Sequence, residues 1–163
     1  MSRVIVATIR AVGIAVLLSL GAAGCWGGRN HVRGYDCSEL AKIFFRKPIK
    51  TTIAEFGDYD VEKQYAIYIC GNQYMHPPMI HLAEPFASEG EKIVDFLKAR
   101  LLEADDDLTV RDIVVVFAEM RIQKTYNVAG DGDLMEIMQE KVNNIKNPDW
   151  RQLSEQELNE IRK

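Results

Sequence analysis

Three consecutive aspartates, Asp105, Asp106 and Asp107, stand in "EADDDLT" and are the residues whose type and spacing come nearest to chemistry. Carboxylates so arranged could hold a cation, present an acidic edge to a basic partner, or turn the chain and cap a helix. A calcium loop of the EF-hand type needs glycine at its sixth position and glutamate at its twelfth. Counting from Asp105 puts Val110 and Val116 there; counting from Asn127 puts Gly132 at the sixth but Met138 at the twelfth. Both registers fail. A turn that ends in a helix start, with carboxylates near the free amides, is the leading reading. An acidic rim for a basic partner is the second.

The remaining candidate chemistry is thin. His76 and His81 frame "HPPMIH", but zinc needs three or four placed ligands and only these two histidines lie close together. No Gly-x-Ser-x-Gly and no nucleotide-binding glycine string occurs. The expectation is therefore no catalytic residue, no metal and no cofactor. Tyr59, Tyr65, Tyr68 and Tyr74 lie along one segment, with Met75 beside Tyr74. Tyr65 and Tyr68 read as core. Tyr59 and Tyr74 lie near helix ends, and tyrosine and methionine are types favoured at interface centres, which makes Tyr74 with Met75 a second candidate binding patch; ordinary packing at helix ends is the leading reading.

These residues must be positioned by helices. Capping-box pairs, in which the cap and the third helical residue satisfy each other's amides, occur at Asp36/Glu39, Ser88/Glu91, Asp133/Glu136 and Ser154/Glu157. Thr109/Asp112 is a weaker pair, and Asp60 can cap a helix from Val61. Apolar stripes at helical spacing follow: Ile93, Phe96, Leu97, Leu101, Ala104; Leu134, Ile137, Met138, Val142, Ile145; and Leu153, Leu158, Ile161. "YAIYIC" and "DIVVVFAEM" are apolar nearly all round and must be covered by neighbours. Two self-alignments appear, one placing Val61 on Val110 (offset 49), the other Ile93 on Leu134 (offset 41). The fold class expected is all-α, a small array of about six helices over residues 36–163.

Upstream, Arg3 and Arg10 precede an apolar run and the small residues Gly21 to Gly24, the order of a secretory signal over 1–24. The apolar stretch after Arg10 is shorter than the roughly 20 residues that span a bilayer. Removing the leader takes Arg3 and Arg10 from the 20 basic residues and none from the 24 acidic ones, so the net charge moves from −4 to −6. An acidic domain argues against nucleic acid, whose phosphates demand a basic face. It suits a basic protein partner. In an oxidising compartment the even pair Cys37 and Cys70 reads as a disulfide, with two buried thiols as the alternative.

"LGAAGC" resembles the lipobox of bacterial lipoproteins. The resemblance implies a lipidated Cys25, a tether over 25–35 and a membrane anchor facing the periplasm, with Trp26 after the cysteine implying the outer membrane. Simple cleavage of the signal is the alternative. "IVDFLKARLLEADDDLTVRDIVVVFAEM" resembles a HEAT-type repeat, which implies stacked antiparallel helix pairs and a protein-binding surface. "QYAIYICGNQY" with that segment is similar, more faintly, to exported immunity proteins that neutralise type VI secretion amidases. The expectation is a non-enzymatic envelope binding module, monomeric or a weak dimer, with a basic toxin as partner. The alternative is an assembly lipoprotein of an envelope complex.

Overall fold

The computed structural model describes residues 31, 32 and 34–163; Cys25 and the leader lie outside the described residues. The described chain opens with a hairpin, β1 (His31–Val32) against β2 (Tyr35–Asp36), antiparallel, with His31 opposite Asp36. This hairpin occupies the end of the stretch expected to be tether. Eight α-helices follow: α1 (Cys37–Ile43), α2 (Ile49–Phe56), α3 (Val61–Gln73), α4 (Ala83–Ala87), α5 (Val94–Glu103), α6 (Asp107–Gln123), α7 (Gly132–Asn143) and α8 (Pro148–Ile161). The fold is all-α. The helices number eight rather than about six because α2 and α4 begin without a side-chain cap, so the sequence carries no start signal for them.

The two helices with no polar face are the centre of the molecule. Gln64 to Asn72 of α3 are all buried, as are Val110, Ile113, Val114, Val116, Phe117, Ala118 and Met120 of α6. Helix α6 packs against α3, α4, α5, α7 and α8. Its β-branched run is helical because its neighbours cover all of it but the half-buried stripe through Arg111, Val115 and Glu119, and burial decides over strand propensity. α5 packs on α7 and α6 on α8, so the hairpins α5–α6 and α7–α8 stack as two layers. A short disulfide joins Cys37 at the start of α1 to Cys70 of α3, with 5.3 Å between their Cα atoms.

The caps divide into those the sequence located and those it misplaced. Asp36 accepts from the amides of Ser38 and Glu39, and Asp60 from that of Lys63. Ser88 starts no helix. Gly90, two residues on, adopts φ +60°, which no α-helix can pass through, and the chain runs as a 3₁₀ turn until Ile93. α6, α7 and α8 begin earlier than expected, capped by Asp106, Asp131 and Asn147 instead of Thr109, Asp133 and Ser154. In each case an Asx side chain with extended backbone lies upstream and takes the amide first. Asn147 is followed by Pro148, a residue preorganised for the first helical position.

Candidate functional site

The acidic triplet lies where α5, α6, α7 and α8 meet. Asp106 accepts the Thr109 amide at 2.8 Å and caps α6. Asp107, the first residue of α6, reaches to the turn between α7 and α8, where its two carboxylate oxygens accept the amides of Lys146 (3.1 Å) and Asn147 (2.8 Å). Those bonds hold the Asp107 carboxyl below the usual carboxylate range, the Asn147 amide contributing most. Asn147 in turn caps α8, accepting from Asp149 and Trp150. The Asp107 bonds join one helix pair to the next, while the Asp106 and Asn147 caps each stay within a single helix. Two of the three aspartates are thus occupied with backbone amides, and Asp105 is the exposed one. Nearby, the Lys141 ammonium donates to the carbonyls of Leu102 and Ala104 at the end of α5, where the helix dipole favours a cation.

On the outer side of the triplet is an open hollow of about 400 Å³, lined by Asp105 to Leu108, Lys146, Asn147 and Trp150. A smaller one of about 120 Å³ lies between the triplet and α7, reaching Val110, Glu140 and Lys141. Trp150 carries the Arg111 guanidinium over its ring at 4.5 Å. Arg111 donates through Nε to Asp112 Oδ1 at 2.9 Å, and Gln73 donates to Asp112 Oδ2 at 2.9 Å. The Tyr68 hydroxyl donates to the Asp112 carbonyl at 2.9 Å. Asp112 is 2% exposed, and this burial pushes its carboxyl up to about 6 despite the pull of Arg111 and Gln73. Sequence reasoning assigned Asp112 only to a weak capping pair. The signal available was a carboxylate set inside an otherwise apolar run, with Arg111 adjacent.

Gln73 also donates to Thr109 Oγ1 at 3.2 Å. The end of α3 is therefore fastened to the start of α6, and Tyr74 and Met75, the next two residues, come to the end of the molecule that bears Asp105 to Asp107. Both are half-buried against the core. The loop after them exposes His76, Pro77 and Pro78, and Ile80 is 67% exposed beyond it. Met79 is folded back, its amide donating to the Gly71 carbonyl at 3.0 Å and its Cβ close enough that only glycine fits at 71 without movement. Among the described residues no group of three or more histidine, cysteine, aspartate or glutamate side chains is placed to hold a metal ion.

A second polar cluster, not anticipated from sequence, fixes the hairpin. The Tyr35 hydroxyl donates to Glu62, and Arg100 pairs with Glu62 (2.7 Å) and Glu103 (3.0 Å). The Arg100 guanidinium lies over the rings of Phe96 and Tyr65, at 5.0 and 5.8 Å. Tyr35 meets the Tyr65 ring edge-on at 6.1 Å. Burial and the Glu62 carboxylate raise the Tyr35 hydroxyl, while the same bond is the main cause that lowers Glu62. Every member is engaged in holding β2 to α3 and α5.

Among the described residues no helix is long and apolar enough to cross a membrane. No protein-family model, curated protein or solved structure matches this chain.

Proposed function

We propose that the protein is a non-enzymatic binding module of the bacterial envelope, held to the membrane through Cys25, that covers the cleft of a basic protein such as a toxin delivered into the periplasm. The observation that carries this reading is the composition of one end of the molecule. An exposed carboxylate, Asp105, rims a hollow walled by Trp150 and Leu108, and the Tyr74–Met75 turn with its proline-stiffened loop lies at that same end. Aromatic anchors beside a charged rim are what protein recognition uses, the anchors for affinity and the charge for encounter rate. The networks around Asp107 and Asp112 support the reading by fixing that end rigidly, which lowers the entropy lost on binding.

The test is capture from detergent-solubilised envelopes with the wild-type chain and with Cys25→Ser, followed by mass spectrometry. One stoichiometric toxin or hydrolase held by both forms is the expected result. Several envelope components held only by the lipidated form would assign the protein to assembly instead. With a partner in hand, Asp105→Lys should slow association and weaken its salt dependence, because that substitution reverses the exposed charge and leaves both caps intact. Association indifferent to salt and to the substitution would remove the acidic edge from the mechanism.

A further inference from the structure

The segment from Leu40 to Ala54 contains Lys42, Arg46, Lys47 and Lys50 and no acidic residue, in a chain whose net charge is −4. Lys47 pairs with Glu55; Lys42, Arg46 and Lys50 are exposed and make no ion pair among the described residues. Interleaved with these cations are Ile43, Ile49 and Ile53, which are 52%, 58% and 39% exposed. The helix explains the pattern on α2. Thr52 and Phe56 turn inward, while Ile49 and Ile53, one turn apart, share the outer face with Lys50 and Ala54. Single exposed isoleucines need no account, but three among four cations within twelve residues do.

We propose that this outer surface of α1 and α2 rests on an anionic phospholipid bilayer. The chemistry matches at each position. Lysine and arginine stems lie along the surface while their charges meet phosphate, and branched aliphatic side chains enter the boundary between headgroups and acyl chains. The surface holds no exposed tyrosine or tryptophan of the kind that centres a protein interface. Position along the chain agrees. β1 packs against α1, and His31 follows Cys25 by six residues, which span roughly 20 Å at most when extended. The inference rests in part on the reading of Cys25 as a membrane tether. Tethering brings the domain to the bilayer, and the α1–α2 surface sets which side faces it.

The experiment is hydrogen exchange on the full chain, purified from membranes in detergent and returned to vesicles. One vesicle set is phosphatidylcholine alone; the other is phosphatidylethanolamine with one quarter phosphatidylglycerol. The expected result is slowed exchange over residues 42–56 on the anionic vesicles only, with α6 unchanged as internal control. Each cation near an anionic surface strengthens attachment by roughly fivefold, so the triple variant Lys42→Gln, Arg46→Gln, Lys50→Gln should lose on the order of hundredfold and abolish the protection. Ile49→Ser with Ile53→Ser should abolish it with the charge of the surface unchanged. Exchange over 42–56 that is the same on both vesicle sets overturns the proposal even where the chain stays attached, and the tether reading then survives alone. Protection that appears in detergent and grows with protein concentration also overturns it, since a second copy would then be the cover. Failure of the wild-type chain to sediment with vesicles would sink the tether reading instead. Exchange at saturating anionic vesicles would still decide the docking, because this surface binds weakly without a tether.

Discussion

Asp105, Asp106 and Asp107 are three identical side chains in a row with three different tasks, and the difference is set by what each meets. Asp107 satisfies two amides of the α7–α8 turn at the surface, so Asp107→Ala hands both to water and is expected to cost about 1 kcal/mol. Asp105→Ala, at an exposed position, should stay within about 0.5 kcal/mol. Urea denaturation of the two variants checks the contrast, and equal effects would contradict the assignment. Asp112 carries the opposite pH signature to Asp107. The Asp107 carboxyl is depressed, so its contribution is present above the usual carboxylate value and is lost as pH falls through the folded value. The Asp112 carboxyl is raised from 3.8 to about 6, so the folded state binds its proton more tightly and stability falls as pH rises across that interval. Between pH 7 and pH 5 Asp112 alone should therefore add about 1 kcal/mol. Glu157, raised chiefly by burial, acts in the same direction. Asp112→Asn should be more stable than wild type at pH 7 and show a flatter profile from 7 to 5. A variant less stable at pH 7, with the wild-type slope retained, would mean that the ionised pair with Arg111 outweighs the burial.

At the scale of elements, the offset of 41 residues turns out to relate whole helix pairs. It places Leu97 on Met138, Leu101 on Val142 and Ala104 on Ile145, all buried. The structure extends it to the second helices: cap Asp106 on cap Asn147, Phe117 on Leu158, Met120 on Ile161. The offset of 49 joins α3 to α6, whose caps Asp60 and Asp106 stand 46 apart, so it aligned two apolar runs and not two units. The interior stripes of α5 and α7 were legible because apolar periodicity records burial directly. The start of α8 was not, because Ser154/Glu157 imitates a capping box inside a helix that Asn147 and Pro148 already begin. The acidic triplet was legible as turn and cap, but the reach of Asp107 to a turn 39 and 40 residues away was not, since no local pattern encodes it. In the second helix pair Ser154 occupies the place of fully buried Ile113, with 1% exposure and no partner for its hydroxyl, while Leu153 is left 44% exposed. A buried hydroxyl without a hydrogen bond costs roughly 1–3 kcal/mol, so Ser154→Ala should raise stability by about 1 kcal/mol once the small lost volume is set against it. A fall in Tm would show that the hydroxyl is bonded in solution.

At the scale of the whole molecule, the two halves are held by different means. α5 to α8 form stacked pairs around α6, joined by apolar packing and by the chain of caps from Asp106 to Asn147. The hairpin, α1 and α2 have less to bury. α1 has seven residues and α2 eight, and Ile43, Ile49 and Ile53 face outward. Short helices with a thin apolar face are marginal without help. α1 is attached to α3 through Cys37–Cys70, the hairpin to α3 and α5 through the Tyr35, Glu62 and Arg100 cluster, and α2 to α4 through Phe56, which meets the Phe86 ring edge-on at 5.7 Å. The disulfide closes a loop of 33 residues, which in the chain-entropy account restricts the unfolded chain by about 3–4 kcal/mol. Reduction, or the pair Cys37→Ser with Cys70→Ser, should therefore act unequally across the fold. Amide exchange should rise first and most in the hairpin, α1 and α2, while α6 and α8 keep their protection until the global transition, itself lowered by about that amount. Uniform acceleration over all eight helices would instead mean a single cooperative unit in which α1 is as integral as α6.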